Sequence, residues 1–282
     1  MFAPIYAYSG TVDGFVSLEV SPLLAYDTQG TIAQAKKLHA QANRPNLFIK
    51  IPGTTEGLPA IEEAIFAGVP INVTLLFSTE HYSAAADAYL KGLERRVAAG
   101  LSPDVRSVAS LFISRWDVAV ADKVSQKWSN MLGIAVSKQS YKVYRNLLES
   151  DRFQRLSNIG ARPQRLLFAS TGTKDKSASD TLYISALAAP NTVNTMPEKT
   201  LLAFADHGTL PKALRPDGGD GARVPKEFTK VGLDSAGLAT KLPRDAAHGS
   251  VASCPHIVTC HEATWQLLRP ITNTPPAAYS HS

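Results

Sequence analysis

Short runs of β-branched and apolar residues alternate with longer amphipathic segments along most of the chain, and this alternation limits the fold more than any other feature. The runs predict six strands, at residues 15–20, 47–51, 71–77, 108–113, 165–170 and 192–195. Because the intervening segments are long enough for helical crossovers, the strands should run parallel. A (β/α) barrel and an open doubly wound sheet both fit this α/β pattern. The first strand is not followed by Gly-x-Gly-x-x-Gly, which favours the barrel.

Residues that cap or end helices mark the boundaries of the crossovers. Asp27 precedes a segment with apolar residues at helical spacing, and its side chain can accept a hydrogen bond from a first-turn amide. Ser78 stands in the same position before another such segment. Helix ends are predicted by Gly68, Gly100 and Gly208.

Composition excludes several classes of protein. The chain has 282 residues, of which 44% are hydrophobic and 19% charged, so it is neither a disordered tail nor a collagenous rod. Its net charge of +5 suits a small anionic substrate, and no block of like charges calls for nucleic acid. Residues 1–14 carry no basic n-region, so no signal peptide is predicted. The longest apolar stretch, 64–79, is interrupted by Gly68, Pro70 and Asn72, so no membrane span is predicted.

The periodic pattern of apolar residues changes towards the C-terminus. We expect a barrel domain over residues 1–242 and a poorly structured tail over 243–282, because the apolar periodicity fades past Pro243. The tail holds Cys254, His256, Cys260 and His261, whose spacing matches no common zinc pattern. No metal is therefore predicted. The low cysteine count is typical of a reducing compartment, so a cytoplasmic location is expected.

Polar residues on strands that should be apolar carry the functional information, because a buried polar group is costly without a partner. Side chains alternate along a strand, so Glu19 and Lys50 each point away from their apolar neighbours. Asn72 and Thr74 share one face of the third strand, and Ser110 lies on the fourth. If these faces line one barrel, the five side chains converge as in an active site.

This set of residues suits Schiff-base chemistry. Desolvation in a partly dry interior favours the neutral lysine amine, which attacks carbonyls, and Glu19 and Thr74 can hold a water that shuttles protons. Simpler roles are also open: Lys50 could extend its amine into solvent, Glu19 could form a structural ion pair with it, and Asn72 and Thr74 could be satisfied core residues. Arg115, beyond the fourth strand, is either a surface charge or an anion clamp.

At these residues the chain resembles the transaldolase family, in its longer bacterial and plant-plastid type. The resemblance lies in successive blocks spanning about residues 12–208, namely DGFVSLEVSP, NLFIKIPGT, INVTLLFS, SLFISR, RLLFASTGTK, DTLYISAL and NTVNTMP. It implies a (β/α)8 TIM-barrel fold and transfer of a dihydroxyacetone unit from sedoheptulose 7-phosphate or fructose 6-phosphate to an aldose phosphate, in the pentose phosphate pathway. It implies phosphorylated sugars as partners and no metal or organic cofactor.

The resemblance also implies a role for each site residue. Lys50 resembles the Schiff-base lysine, and Glu19 and Thr74 the groups that position the catalytic water. The residues that resemble contacts to substrate hydroxyls and phosphate are Asn72, Ser110, Arg115, Ser170 and Lys174. Lys174 replaces an arginine found in other branches.

Two departures from the family pattern are expected. The chain begins where the family has already completed two βα units, so the first two units, with an acid/base aspartate on the first strand, would be missing. Asp13 lies at a strand entrance and does not replace this aspartate. The tail after about Val231 also departs from the covering helix of the family.

These departures leave two alternatives to transaldolase open. One is a simple class I aldolase that releases free dihydroxyacetone, and the other is an impaired or inactive fragment with a binding or structural role. Oligomeric state stays open, as does a plastid location if a leader precedes the chain.

Overall fold

The computed structural model describes residues 2–210, 212–230 and 232–252. Six parallel strands form one sheet in the order β1 to β6, which curls into part of a barrel with helices packed on its outer face. The strands are β1 Val16–Glu19, β2 Leu47–Pro52, β3 Ile71–Leu76, β4 Ser107–Phe112, β5 Gln164–Ala169 and β6 Val193–Asn194. The predicted strands and the barrel-type fold are thus confirmed. Within the described residues, β1 pairs only with β2 and β6 only with β5.

Eleven α-helices accompany the sheet in the described part of the chain. They are α1 Ala3–Tyr8, α2 Thr28–Ala42, α3 Gly57–Phe66, α4 Thr79–Ala98, α5 Ser114–Val120, α6 Leu132–Glu149, α7 Asp151–Asn158, α8 Leu182–Ala186, α9 Glu198–His207, α10 Arg223–Lys230 and α11 Ser235–Ala252. The predicted caps are confirmed, since Asp27 accepts a hydrogen bond from the Gly30 amide and Ser78 accepts one from the His81 amide.

The main core lies between the outer face of the sheet and the helices. Ile49, Ile51, Ile71 and Val73 on β2 and β3 are fully buried there, against residues of α3 and α4 such as Ile61. Because these side chains alternate with Lys50 and Asn72, the packing of the outer face fixes which side chains point to the barrel interior.

The N-terminal segment crosses the amino-terminal end of the sheet. The Arg106 guanidinium donates to the Thr11 hydroxyl at 2.7 Å, and that of Arg165 donates to the Val12 carbonyl at 2.8 Å. Arg106 immediately precedes β4, and Arg165 is the second residue of β5. Residues 11–12 therefore lie against this end of the part-barrel.

A helix at the C-terminal end corrects the expected tail. Helix α11 runs through Pro243, although proline removes one intrahelical hydrogen bond and crowds the preceding turn. Burial of Leu242, Ala246 and Ala247 in a cluster with Phe77 and other residues offsets this cost. The helix thus crosses the boundary predicted between 242 and 243. Residues 253–282, which include Cys254, His256, Cys260 and His261, lie outside the described part.

Candidate functional site

Four of the predicted residues lie together on the interior face. Lys50 is the Cα partner of Glu19 on one side and of Asn72 on the other, so these three residues form one row across β1, β2 and β3. Ser110 lies on β4 and reaches the row through a hydrogen bond. The expected convergence of these side chains is therefore found.

Hydrogen bonds connect the row in two groups. The Lys50 Nζ atom lies 3.4 Å from Oε2 of Glu19. The Ser110 hydroxyl donates to Oδ1 of Asn72 at 2.7 Å, and Nδ2 of Asn72 donates to the Ser17 hydroxyl at 3.0 Å. The two serines thus fix the orientation of the Asn72 amide beside the lysine. Ser17 is not among the predicted site residues, although its position two residues before Glu19 on β1 places it on the same face.

Thr74 lies deeper in the same face. Its side chain is fully buried, and its hydroxyl has no hydrogen-bond partner among the described residues. The backbone is distorted next to it: three residue steps from Val73 to Leu76 on β3 match two from Ala109 to Leu111 on β4. Leu75 adopts the left-handed conformation at this irregularity, with φ +61°. Such irregularities often aim a side chain into a site, and here an unpartnered hydroxyl precedes one.

Part of the interior face is apolar. Phe48, Val108, Leu167 and Ala169 form a buried cluster, against which Phe112 packs. The polar row therefore lies beside an apolar surface, while the Lys50 and Glu19 side chains themselves are only partly buried.

The residues expected to contact phosphate lie just beyond β4 and β5. Arg115 is the second residue of α5 and is exposed, with its guanidinium carbon 5.6 Å from the centroid of the Phe112 ring. Ser170 follows β5 directly, and its hydroxyl is 2.9 Å from that of Ser114. Ser170 is held in the left-handed conformation, with φ +57°. These contacts bring the Ser170 loop and the start of α5 together at the carboxyl end of the sheet.

Lys174 is less closely associated with the site. It is exposed, four positions beyond Ser170 in the same loop. In the part of the chain that the structure describes, it makes no hydrogen bond or ion pair with another predicted site residue. The structure therefore does not join Lys174 to the others, and its role stays a prediction.

Carboxylates are scarce near the row. Glu19 is the one carboxylate on the interior face of the six described strands. Asp13 precedes β1 and accepts a hydrogen bond from the Gly14 amide, at the opposite end of the strand from Glu19. The described residues contain no group of three or more His, Cys, Asp or Glu side chains that could hold a metal ion.

A separate cleft of about 380 Å³ lies outside the barrel interior, between α4, α5, α6 and α11. His81 and Trp116 line it, and none of the eight predicted site residues does. Burial lowers the pKa of His81, although the neighbouring Glu80 carboxylate opposes this shift. We place the candidate site at the lysine row, because that is where the predicted nucleophile and the predicted proton-transfer groups meet.

No helix of the described chain is both long and apolar enough to cross a membrane.

The geometry supports attack of an amine on a carbonyl. A lysine amine at this position can form an imine, and the adjacent carboxylate can move the protons that dehydration and hydrolysis require. The fixed amide of Asn72 offers hydrogen bonds to hydroxyls of a bound molecule. Arg115, at the carboxyl end of the sheet, can bind an anionic group of the same molecule.

The chain matches a known protein family over most of its length. The family described as "Transaldolase/Fructose-6-phosphate aldolase" matches residues 2–252. The match extends beyond both ends of the region in which the sequence resemblance was identified. It includes α11, so the expected departure after Val231 is wrong as far as residue 252: the described chain there forms a helix that the family match covers.

Bacterial relatives cover most of the chain. A protein named transaldolase from Parafrankia sp. is 45% identical over 85% of this chain and 67% of its own length. One from Frankia alni is 46% identical over 82% of this chain and 64% of its own length, and one from Acidothermus cellulolyticus is 42% identical over 89% and 69%. The chain therefore spans about two thirds of the length of these relatives. Their bacterial origin lends no support to a plastid location.

Proposed function

The chain belongs to the transaldolase/fructose-6-phosphate aldolase family, and from this premise we propose that it acts as a transaldolase. In the proposed reaction it transfers a dihydroxyacetone unit from sedoheptulose 7-phosphate or fructose 6-phosphate to an aldose phosphate. The observation that carries the proposal is the position of Lys50, in register between Glu19 and Asn72 with its Nζ atom 3.4 Å from the Glu19 carboxylate.

The covalent step belongs to Lys50. Its neutral amine adds to the ketose carbonyl, and loss of water from this adduct gives an iminium ion. The iminium accepts the electron pair of the adjacent C–C bond, so the aldose phosphate leaves and an enamine stays on the lysine. Addition of the enamine to the acceptor aldehyde forms the new bond, and water then hydrolyses the imine to release the product.

Glu19 and Thr74 serve the proton transfers. The carboxylate takes and returns protons during loss and uptake of water, and the Thr74 hydroxyl, which has no partner among the described residues, holds the water in place. Asn72 and Ser110 bind substrate hydroxyls, and Arg115 with Ser170 binds the phosphate, with Lys174 in a supporting role.

Cleavage of the C–C bond also needs a base for the substrate hydroxyl. The interior face of the six described strands offers Glu19 as its single carboxylate. We propose Glu19 as the base for this step as well.

Borohydride trapping tests the proposal. Incubation with fructose 6-phosphate and borohydride should add the reduced ketose, or the reduced dihydroxyacetone unit left after cleavage, to the peptide that contains Lys50, and Lys50→Ala should abolish the adduct. Lys36→Ala is the matched control, because Lys36 lies on α2 in an ion pair with Glu63 at 2.8 Å, away from the interior face. An adduct on another lysine would overturn the assignment.

The name of the matched family covers two reactions, so a simple aldolase is the second candidate. An assay with and without an acceptor aldose phosphate separates them. A transaldolase turns over only with the acceptor, whereas an aldolase releases free dihydroxyacetone without it. Trapping at Lys50 with turnover in neither assay would indicate the impaired form.

A further inference from the structure

A buried carboxylate outside the lysine row joins three helices. Asp117 lies on α5 and is 5% exposed. Its Oδ1 atom accepts hydrogen bonds from the backbone amides of Leu132 at 2.9 Å and Gly133 at 3.2 Å, at the start of α6. Its Oδ2 atom accepts one from the Tyr183 hydroxyl of α8 at 2.9 Å. The reaction proposed above gives neither Asp117 nor Tyr183 a role.

Close packing keeps this carboxylate in place. A Cβ atom at Gly133 would lie 2.6 Å from the Ile113 carbonyl oxygen and 2.8 Å from Oδ2 of Asp117, so a side chain there would push α6 away. The first-turn amides of α6 also present the positive end of the helix dipole to the carboxylate. Burial raises the pKa of Asp117, and the three hydrogen-bond donors oppose that shift.

Asp117 and Tyr183 lie on the two segments that carry the predicted phosphate contacts. Helix α5 begins with Ser114 and Arg115, and α8 follows the loop that starts at Ser170. At their beginnings these segments are joined by the hydroxyls of Ser114 and Ser170 and by a hydrogen bond from the Ser114 amide to the Ser170 carbonyl at 3.1 Å.

The second connection lies one turn further along α5. Ser114 and Asp117 are three positions apart, which places them on one face of the helix, and both are buried. The Asp117–Tyr183 hydrogen bond thus adds a second direct connection between the two segments, beyond the contact of Ser114 with Ser170.

We propose that Asp117 and Tyr183 are positioning residues that hold Arg115 and the Ser170 loop at the separation that a phosphorylated sugar requires. This inference rests on the proposed function for the identity of its ligand. The pair acts on affinity for the phosphate-bearing end and leaves the chemistry at Lys50 unchanged.

Tyr183→Phe tests the proposal, because it removes one hydroxyl and keeps the ring. The KM for fructose 6-phosphate should rise about fivefold to tenfold, with kcat unchanged within about twofold. The KM for fructose, which lacks the phosphate, should stay the same. The matched control is Tyr89→Phe, whose buried hydroxyl is within hydrogen-bond distance of the Val105 and Arg162 carbonyls at the opposite end of the sheet.

A conservative variant separates positioning from a general loss of structure. In Asp117→Asn, the amide oxygen can still accept from α6, and the amide nitrogen can donate to the Tyr183 oxygen. The KM for fructose 6-phosphate should therefore stay within about twofold of the parent value in Asp117→Asn and rise in Asp117→Ala. An equal rise in Tyr89→Phe, or an equal rise for fructose in Tyr183→Phe, would overturn the inference.

Calorimetric titration of fructose 6-phosphate separates this inference from the proposed function. Absence of a Lys50 adduct in the parent protein defeats the proposed function, whether or not the sugar binds. Binding that weakens about fivefold to tenfold in Tyr183→Phe but not in Tyr89→Phe supports the positioning role. Equal binding by parent and Tyr183→Phe, or binding by neither, defeats it.

Discussion

The Lys50 Nζ atom lies 3.4 Å from Oε2 of Glu19, and the two residues are Cα partners across β1 and β2. Their side chains are 26% and 37% exposed, so solvent reaches both groups. An ion pair of this exposure contributes little to stability, because water screens the charges and compensates each group when the other is removed. The structure therefore argues against the alternative in which Glu19 serves only as a structural ion-pair partner of Lys50.

Glu19→Gln should reduce turnover without unfolding the protein. Glutamine keeps the shape and most of the hydrogen bonding but cannot accept a proton, so turnover should fall roughly 10²-fold or more. Thermal melting should change little. Glu63→Gln is the control, since Glu63 pairs with Lys36 and Arg95 among the outer helices and should retain full turnover. A large loss of stability in Glu19→Gln with intact imine trapping would contradict the proton-transfer role.

Thr74→Val should reduce turnover without lowering the stability of the fold, whereas most substitutions in a protein core lower stability. The Thr74 hydroxyl is buried without a partner among the described residues, so valine removes an uncompensated polar group at nearly constant volume. We expect an unchanged or higher melting temperature and turnover reduced by about 10-fold or more.

Thr31→Val is the matched control for that substitution. The Thr31 side chain is also buried, but its hydroxyl donates to the Leu24 carbonyl at 2.9 Å. Its loss should lower stability by about 1 kcal/mol and leave turnover unchanged. If Thr74→Val lowered stability as much as Thr31→Val, the Thr74 hydroxyl would have a structural partner. That result would contradict its proposed role in holding water.

Much of the fold could be predicted because two periodicities agree in this chain. The strands are short β-branched runs, and alternation along them places Lys50 and Asn72 opposite to Ile49 and Val73. Packing of the outer face then determines which side chains point inward. The convergence of the site residues could therefore be predicted from the alternation of side chains along the strands. Caps such as Asp27 and Ser78 act within a few residues, which makes them visible in sequence.

The remaining features depend on contacts between distant segments. Leu75 and Ser170 give no local sign of left-handed backbone, since neither is glycine or asparagine. The hydrogen bond between Asp117 and Tyr183 joins residues that are 66 positions apart. Helix α11 continues through Pro243 because tertiary burial outweighs local propensity, which periodicity cannot anticipate.

Gly14→Ala should destabilise the N-terminal segment through a steric conflict. Gly14 has φ +78°, and a Cβ atom there would lie 2.8 Å from the Phe2 carbonyl oxygen and still closer to the Tyr6 amide. Helix α1 would have to move, so the edge contact between the Tyr6 and Phe15 rings, now 5.1 Å apart, would be lost. We expect a loss of about 2 kcal/mol or more in the free energy of unfolding.

Gly100→Ala controls for the backbone conformation alone. Gly100 also has positive φ, +69°, but a Cβ atom there would meet nothing within 4 Å. Its cost should be about 1 kcal/mol, the ordinary penalty of alanine in this region. Equal losses in urea titrations of the two variants would show that the contacts of α1 contribute nothing.

The stability contributed by His207 should depend on pH. Hydrogen bonds to Asp180 at 2.9 Å and to Asp206 at 3.3 Å raise the pKa of His207 above its ordinary value of 6.5. The imidazolium is therefore favoured in the folded state, and its position at the end of α9 adds the attraction of the helix C-terminus. Since the folded pKa is the higher one, the stabilisation is complete below pH 6.5 and disappears as the pH rises through the folded value.

His207→Gln should accordingly lower the melting temperature near pH 5.5 and have no effect near pH 8.5. All three groups are exposed, so about 1 M salt should reduce the difference at the lower pH by screening the charges. Asp180→Asn should reproduce the effect, because it removes the stronger of the two partners. If the melting temperature of His207→Gln differed from that of the parent by the same amount at both pH values, the substitution would act through packing. The charge of His207 would then play no part.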